Sequence, residues 1–175
     1  MLAGFPDHSV LTEQRVKPNN INLLFPIFYN MSETIQTKWL DHMVFESTID
    51  QFKIRMDADE KFGGTNMGPR PKPLVLSALA GCTGMDVISI LQKKKVIPDS
   101  FVISISGTLS EEHPKYYKKI HIVYELSGEN FINNEEILIK VRRAVQLSRD
   151  NYCGISAMLK NSCEITDEIV LLNSP

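Results

Sequence analysis

The stretch from Pro73 to Gln92, "PLVLSALAGCTGMDVISILQ", decides how the rest of the chain is read. From Leu74 to Leu91 nearly every position is apolar or small, so the stretch predicts a helix buried on most of its circumference. Pro73 suits the first turn, where its missing N–H costs nothing. Lys93, Lys94 and Lys95 suit the negative end of the helix dipole. Cys82 sits mid-helix between Gly81 and Gly84. Buried cysteines are commonly inert packing, and reactivity requires the thiolate. The dipole fades within about one turn, so a reactive Cys82 needs a cation from elsewhere: Arg70 or Lys72 before the helix, Arg55, or Arg149.

Outward from this helix the pattern is mixed. In "QFKIRMD", Phe52, Ile54 and Met56 alternate with Lys53 and Arg55, the period of a half-buried strand, and "HMVFESTID" reads as its antiparallel neighbour. The segment "DADEKFGGTNMGPRPKP" is a loop. "SFVISISGTL" and "KKIHIVYELSG" read as strands joined by the turn-rich "SEEHPKYY". Residues Ile137, Leu138, Val141, Ala144, Val145 and Ser148 form one helical stripe, with Asn133 or Asn134 as its cap. "DNYCGISAMLKNS" reads as a short helix entered near Cys153, and "CEITDEIVLL" as a last strand. The order β-β, long helix, β-β, two helices, β predicts an α+β fold with antiparallel sheets packed on a long buried central helix. A domain this small has little mass to surround such a helix, so either a second copy covers it, making a homodimer, or the chain's own sheet and second helix do. Gly81 and Gly84 would allow close approach.

The 175 residues fit one domain, with 43% apolar and 23% charged residues. A net charge of −2 gives no basic field for nucleic acid. No apolar run is expected to span a membrane. Dinucleotide and Walker phosphate fingerprints are absent. Three cysteines, at 82, 153 and 163, without a CxxC, point away from a disulfide scaffold or zinc finger and toward thiols in a reducing, cytoplasmic setting. Residues 1–30 read differently from 31–175. "INLLFPIFY" is short and interrupted by Pro26, and Met31 opens what reads like an ordinary start. The segment is either an extension outside the fold or an arm that packs on a partner.

Cys153 lies near a predicted helix start and beside Arg149, a setting that favours a thiolate, although it is equally a small core residue. Cys163 has no special surroundings. A metal site built from Cys82, Cys153 and His113 or His121 has no supporting spacing, and no metal is expected. Glu111-Glu112 and Glu135-Glu136 are read as surface charge pairs, since adjacent side chains do not converge on a helix.

Two segments, "GPRPKPLVLSALAGCTGMDVISILQKKK" and "LSRDNYCGISAMLK", resemble the OsmC/Ohr family of thiol-dependent peroxidases. "TKWLDHMVFE", "GGTNMGP", "EEHPK" and "SCEIT" also fit, so the resemblance runs from about Met31 onward. It implies an α+β fold, an intertwined homodimer and two sites at the subunit interface. It makes Cys82 the peroxidatic cysteine and Cys153 the resolving cysteine. A Cys82 thiolate would cleave the O–O bond of an organic hydroperoxide, and the resulting sulfenic acid would condense with Cys153 to a disulfide. An external dithiol would restore both thiols, with no cofactor. Apolar neighbours such as Leu79, Met85 and Phe62 would favour organic substrates. The family's active Ohr-type members carry a Glu before the long helix that orients an essential Arg, and here that position is Lys72. The cation could then be Lys72 or Arg70. Alternatively, the chain is a slow or non-catalytic thiol or small-ligand binding module on the same scaffold.

Overall fold

The structure is a computed structural model that describes residues 33–174. The expectations for residues 1–30 lie outside the described residues. From Ile35 onward the chain forms a unit of its own.

Three strands come first: β1 (Gln36–Asp41), β2 (Val44–Ile49) and β3 (Phe52–Met56). They form an antiparallel meander in which Trp39 pairs with Phe45 and Phe45 with Met56. The expected hairpin thus gains a strand. All six β1 residues are exposed, so the strand carries no inward apolar alternation that a sequence reading could detect. A loop holding a single 3₁₀ turn, Glu60–Phe62, leads to α1 (Pro71–Lys93). Strands β4 (Ser100–Leu109) and β5 (Tyr117–Gly128) follow, then α2 (Glu135–Leu147), one π-helical turn (Ser148–Tyr152), α3 (Gly154–Leu159) and β6 (Glu164–Asn173). As expected, Asn134 caps α2, its side chain accepting from Ile137 N–H.

The second sheet has the order β4-β5-β6. β4 and β5 are antiparallel, but β6 runs parallel to β5, Ile120 pairing with Ile165. This corrects the all-antiparallel expectation. Parallel strands need a crossover, and α2, the π turn and α3 together supply one. On β5 the alternating residues Ile120, Ile122, Tyr124 and Leu126 are buried and form the core with α1 and α2.

Helix α1 departs from its expected burial. Within the chain it buries one stripe, Leu79, Thr83, Val87 and Leu91, spaced four apart. The opposite side is open: Met85 is 69% exposed, and Val75, Ala78 and Ser89 are also exposed. A Cβ on Gly84 would lie 2.8 Å from Ile103 Cδ1, so this glycine lets α1 sit close to β4. A Cβ on Gly81 would have nothing within 4 Å among the described residues. The expectation that no apolar run reaches membrane-spanning length also fails. By length and composition alone α1 qualifies, with a mean hydropathy of 1.9, but its fold contacts are with α2, β4 and α3.

The loop before α1 is tied to β3 by Asp57, which is nearly fully buried. Its carboxylate accepts from Ala58 N–H at 2.7 Å, Thr65 N–H at 2.8 Å, Thr65 O–H at 2.9 Å and Met67 N–H at 3.0 Å. The chain then passes so near β3 that a Cβ on Gly68 would meet the Arg55 carbonyl oxygen at 2.4 Å. Burial pushes the Asp57 carboxyl up, but the hydrogen bonds from Met67, Thr65 and Ala58 outweigh it, and the net value falls to about 2. A depressed carboxyl contributes stability that is fully present above its unfolded value and is lost as the pH falls through the folded one. A carboxyl-carbon NMR titration should therefore place the Asp57 midpoint near 2, with loop protection intact at pH 4 and lost below the midpoint. A midpoint near the free-aspartate value would contradict the pin.

Candidate active site

Cys82 lies about three turns into α1, eleven residues after Pro71, too far for the dipole to act on it. Cys153 stands where the π turn gives way to α3, and its sulfur accepts from Ser156 N–H at 3.4 Å. The crossover presses this junction against α1. As a result, the two sulfurs and a carboxylate oxygen of Asp86 all lie within 4.8 Å of one another. Cys153 is buried, whereas Cys82 is half-buried. Cys163 is elsewhere, its thiol donating to the Leu159 carbonyl.

Behind the thiols runs a buried hydroxyl chain. Tyr124 OH and Thr83 Oγ1 are 2.7 Å apart, Thr83 Oγ1 and Ser148 Oγ 3.0 Å, and Ser148 Oγ donates to Asp86 Oδ2 at 2.9 Å. With the carboxylate as acceptor, the direction of every bond is fixed. Ser148 has one proton and gives it to Asp86, so it accepts from Thr83, and Thr83 in turn accepts from Tyr124. Burial pushes the Tyr124 phenol up to about 12, which keeps it a donor. The network holds Asp86 facing the sulfurs and ties α1 to β5 and the π turn.

The charge around Cys82 opposes ionisation. Burial pushes its thiol up first, then the bond with Cys153 and the Asp86 charge, while Ile155 N–H pulls the other way. The cations named from sequence are engaged elsewhere. Arg70 bonds Gly68 O and Asn66 and faces Asp59. Lys72 donates to the Lys115 carbonyl. Arg55 pairs with Glu46, and Arg149 with Asp150 and Asp167. Of the apolar neighbours expected around Cys82, Leu79 is core and Met85 exposed. Phe62 lines a separate cavity of about 600 Å³ with Met43, Phe45 and Met56.

Neither candidate histidine joins Cys82, Cys153 and Asp86; His121 bonds Thr166 instead. Asp86 went unread in the sequence. Its signal was a lone carboxylate four residues after Cys82, one turn on the same face of an apolar helix.

Residues 63–168 match the family described as OsmC-like protein. The chain belongs to the OsmC-like family. Among its relatives, Protein YhfA of Escherichia coli (strain K12) is 28% identical over 132 residues, spanning 75% of this chain and 92% of YhfA. The solved OsmC like protein from Mycoplasma pneumoniae superposes with a TM-score of 0.68 at 18% identity, covering 82% of this chain and 99% of that one. An organic hydroperoxide resistance protein OsmC from Legionella pneumophila gives a TM-score of 0.58 at 14% identity, over 79% and 96% of the two chains. In the structure Cys82 thus stands beside Cys153, and Cys163 lies apart. Oxidation with diamide followed by alkylation should label Cys163 alone, and peptide mapping should recover a Cys82–Cys153 cross-link. Labelling of Cys153 after oxidation would contradict the geometry.

Proposed function

We propose that this chain is a cysteine-based reductase of organic hydroperoxides, working in a reducing compartment such as the cytoplasm. The observation that carries the reading is the pairing of a half-buried sulfur with a buried one within disulfide-forming reach. The more accessible Cys82 meets the oxidant. Its thiolate attacks the O–O bond, taking one oxygen as sulfenic acid and releasing an alcohol. Cys153 then displaces that oxygen as water, and an external dithiol reduces the disulfide. No cofactor is needed. Membership of a family that includes an organic hydroperoxide resistance protein supports the same chemistry.

The working form is a homodimer. The open side of α1, with Val75 and Met85, is matched by Trp39, Phe45, Phe52 and Ile54 exposed on the first sheet, which makes no extensive contact with a helix among the described residues. Apolar surface of this extent is a docking face. A second copy would bring the cation that Cys82 lacks among the described residues, in place of Arg70 or Lys72, and would close an apolar wall over the thiol. Sedimentation should give twice the 19.8 kDa chain mass, and Met85→Glu should shift it toward monomer with loss of activity.

The upward push on the Cys82 thiol, together with Lys72 where active relatives carry an acid, favours a second reading, a thiol-binding module with slow or no turnover. Stopped-flow consumption of cumene hydroperoxide with a dithiol separates the two. The peroxidase reading expects turnover that rises with pH as Cys82 ionises, is abolished in Cys82→Ser, and stops after one turnover in Cys153→Ser. It also expects cumene hydroperoxide to be consumed faster than hydrogen peroxide. No consumption by wild type, with Cys82 slow to alkylate at neutral pH, would leave the binding module.

A further inference from the structure

We propose that Asp86 is the proton carrier for closure of the Cys82–Cys153 disulfide, receiving the Cys153 thiol proton and handing it to the group that leaves Cys82. The inference rests on the reading that these two thiols cycle, but it concerns a step and a residue that reading does not specify.

The geometry places one carboxylate against both reacting sulfurs, the two sulfurs and one carboxylate oxygen all within 4.8 Å of one another. A proton could pass directly or through one water. Closure requires two proton events at once. As the Cys153 sulfur bonds to the Cys82 sulfur it must shed its proton, and the oxygen leaving Cys82 must gain one to depart as water. The balance is one thiol and one sulfenic acid giving one disulfide and one water, with Asp86 returned as it began. Ser148 O–H fixes the other carboxylate edge, backed by Thr83 and Tyr124, so the group is held rather than free to turn to solvent. Asp86 also lines a cavity of about 500 Å³ with Lys93, Lys94, Leu147 and Tyr152.

The titratable groups around the carboxylate are Cys82 on its own helix, Cys153 at the start of α3, Tyr152 in the π turn, Lys93 and Lys94 at the end of α1, and Tyr124 on β5 through the hydroxyl chain. Its negative charge also opposes ionisation of Cys82. The same residue therefore acts with opposite sign on the two steps, restraining the first and assisting the second. A purely structural residue would not do this.

Asp86→Asn keeps an oxygen for Ser148 and removes the charge. Two readouts are taken on the full chain: the pH profile of Cys82 alkylation without oxidant, and the rate of disulfide closure after oxidation. Closure is followed with cumene hydroperoxide, trapping sulfenic acid with dimedone, and separately with oxidised glutathione, where a glutathione thiol leaves instead of water. The variant should alkylate faster at neutral pH, its profile moved to lower pH, while closure slows about a hundredfold with both oxidants and the Cys82 intermediate accumulates. Unchanged closure, or alkylation and closure falling together, would overturn the assignment. Should the variant fail to fold, closure in wild type is compared in water and deuterium oxide. A slower rate in deuterium oxide is expected, and equal rates would overturn the proposal. If wild type ignores the hydroperoxide yet closes with oxidised glutathione, the peroxidase reading fails by itself, and Asp86 is judged on the glutathione arm.

Discussion

Among the described residues helix α1 satisfies only one of its faces, and the other features answer to that constraint. Its buried stripe, Leu79–Thr83–Val87–Leu91, packs with the inward residues of β5 and with α2. Thr83 is the polar member of the stripe, and an unpaired hydroxyl there would cost about 1–3 kcal/mol. The bonds to Tyr124 and Ser148 remove that cost, and in doing so they fix the rotation of the helix against the sheet and the crossover. Cys82 and Asp86 are adjacent to this stripe, so the same rotation aims them at Cys153.

The sulfur pair is therefore a product of long-range packing. Cys153 is carried by the segment between two parallel strands, and the register of β5 against β6 sets where that segment passes over α1. The π turn widens the backbone just before Cys153, whose amide bonds back to the Ser148 carbonyl. Such turns are uncommon and gather at functional sites.

Much of this was readable in advance. The limits of α1, the cap on α2 and the alternation in β4 and β5 are local signals, and they were legible. The two cysteines could be paired only through the family motifs around them. Three things were hidden for physical reasons. β1 buries none of its six residues among the described residues, so it left no period to read. The direction of β6 depends on how its crossover returns, which no strand pattern encodes. The full apolar circumference of α1 suggested complete burial, yet a sequence reports what a face avoids and not which chain covers it. Asp57 looks like an ordinary surface acid in sequence, and only its collected donors set it apart; Asp86 stands out as a lone acid in an apolar helix, but its partners come from distant segments.

The placement of β6 bears on how the site comes into being during synthesis. α1, with Cys82, leaves the ribosome long before Cys153 and the strand that locks its crossover against β5. Until β6 is made and paired, Cys82 has no neighbouring sulfur and Asp86 has no Ser148 to orient it. Oxidation in that interval would strand a sulfenic acid with nothing to resolve it, open to further, irreversible oxidation. The upward push on the Cys82 thiol arises from burial and from Cys153 and Asp86 beside it, so it too belongs to the finished fold. The nascent chain carries Cys82 as an ordinary exposed thiol, and its meeting with Cys153 and Asp86 waits for completion of the last strand.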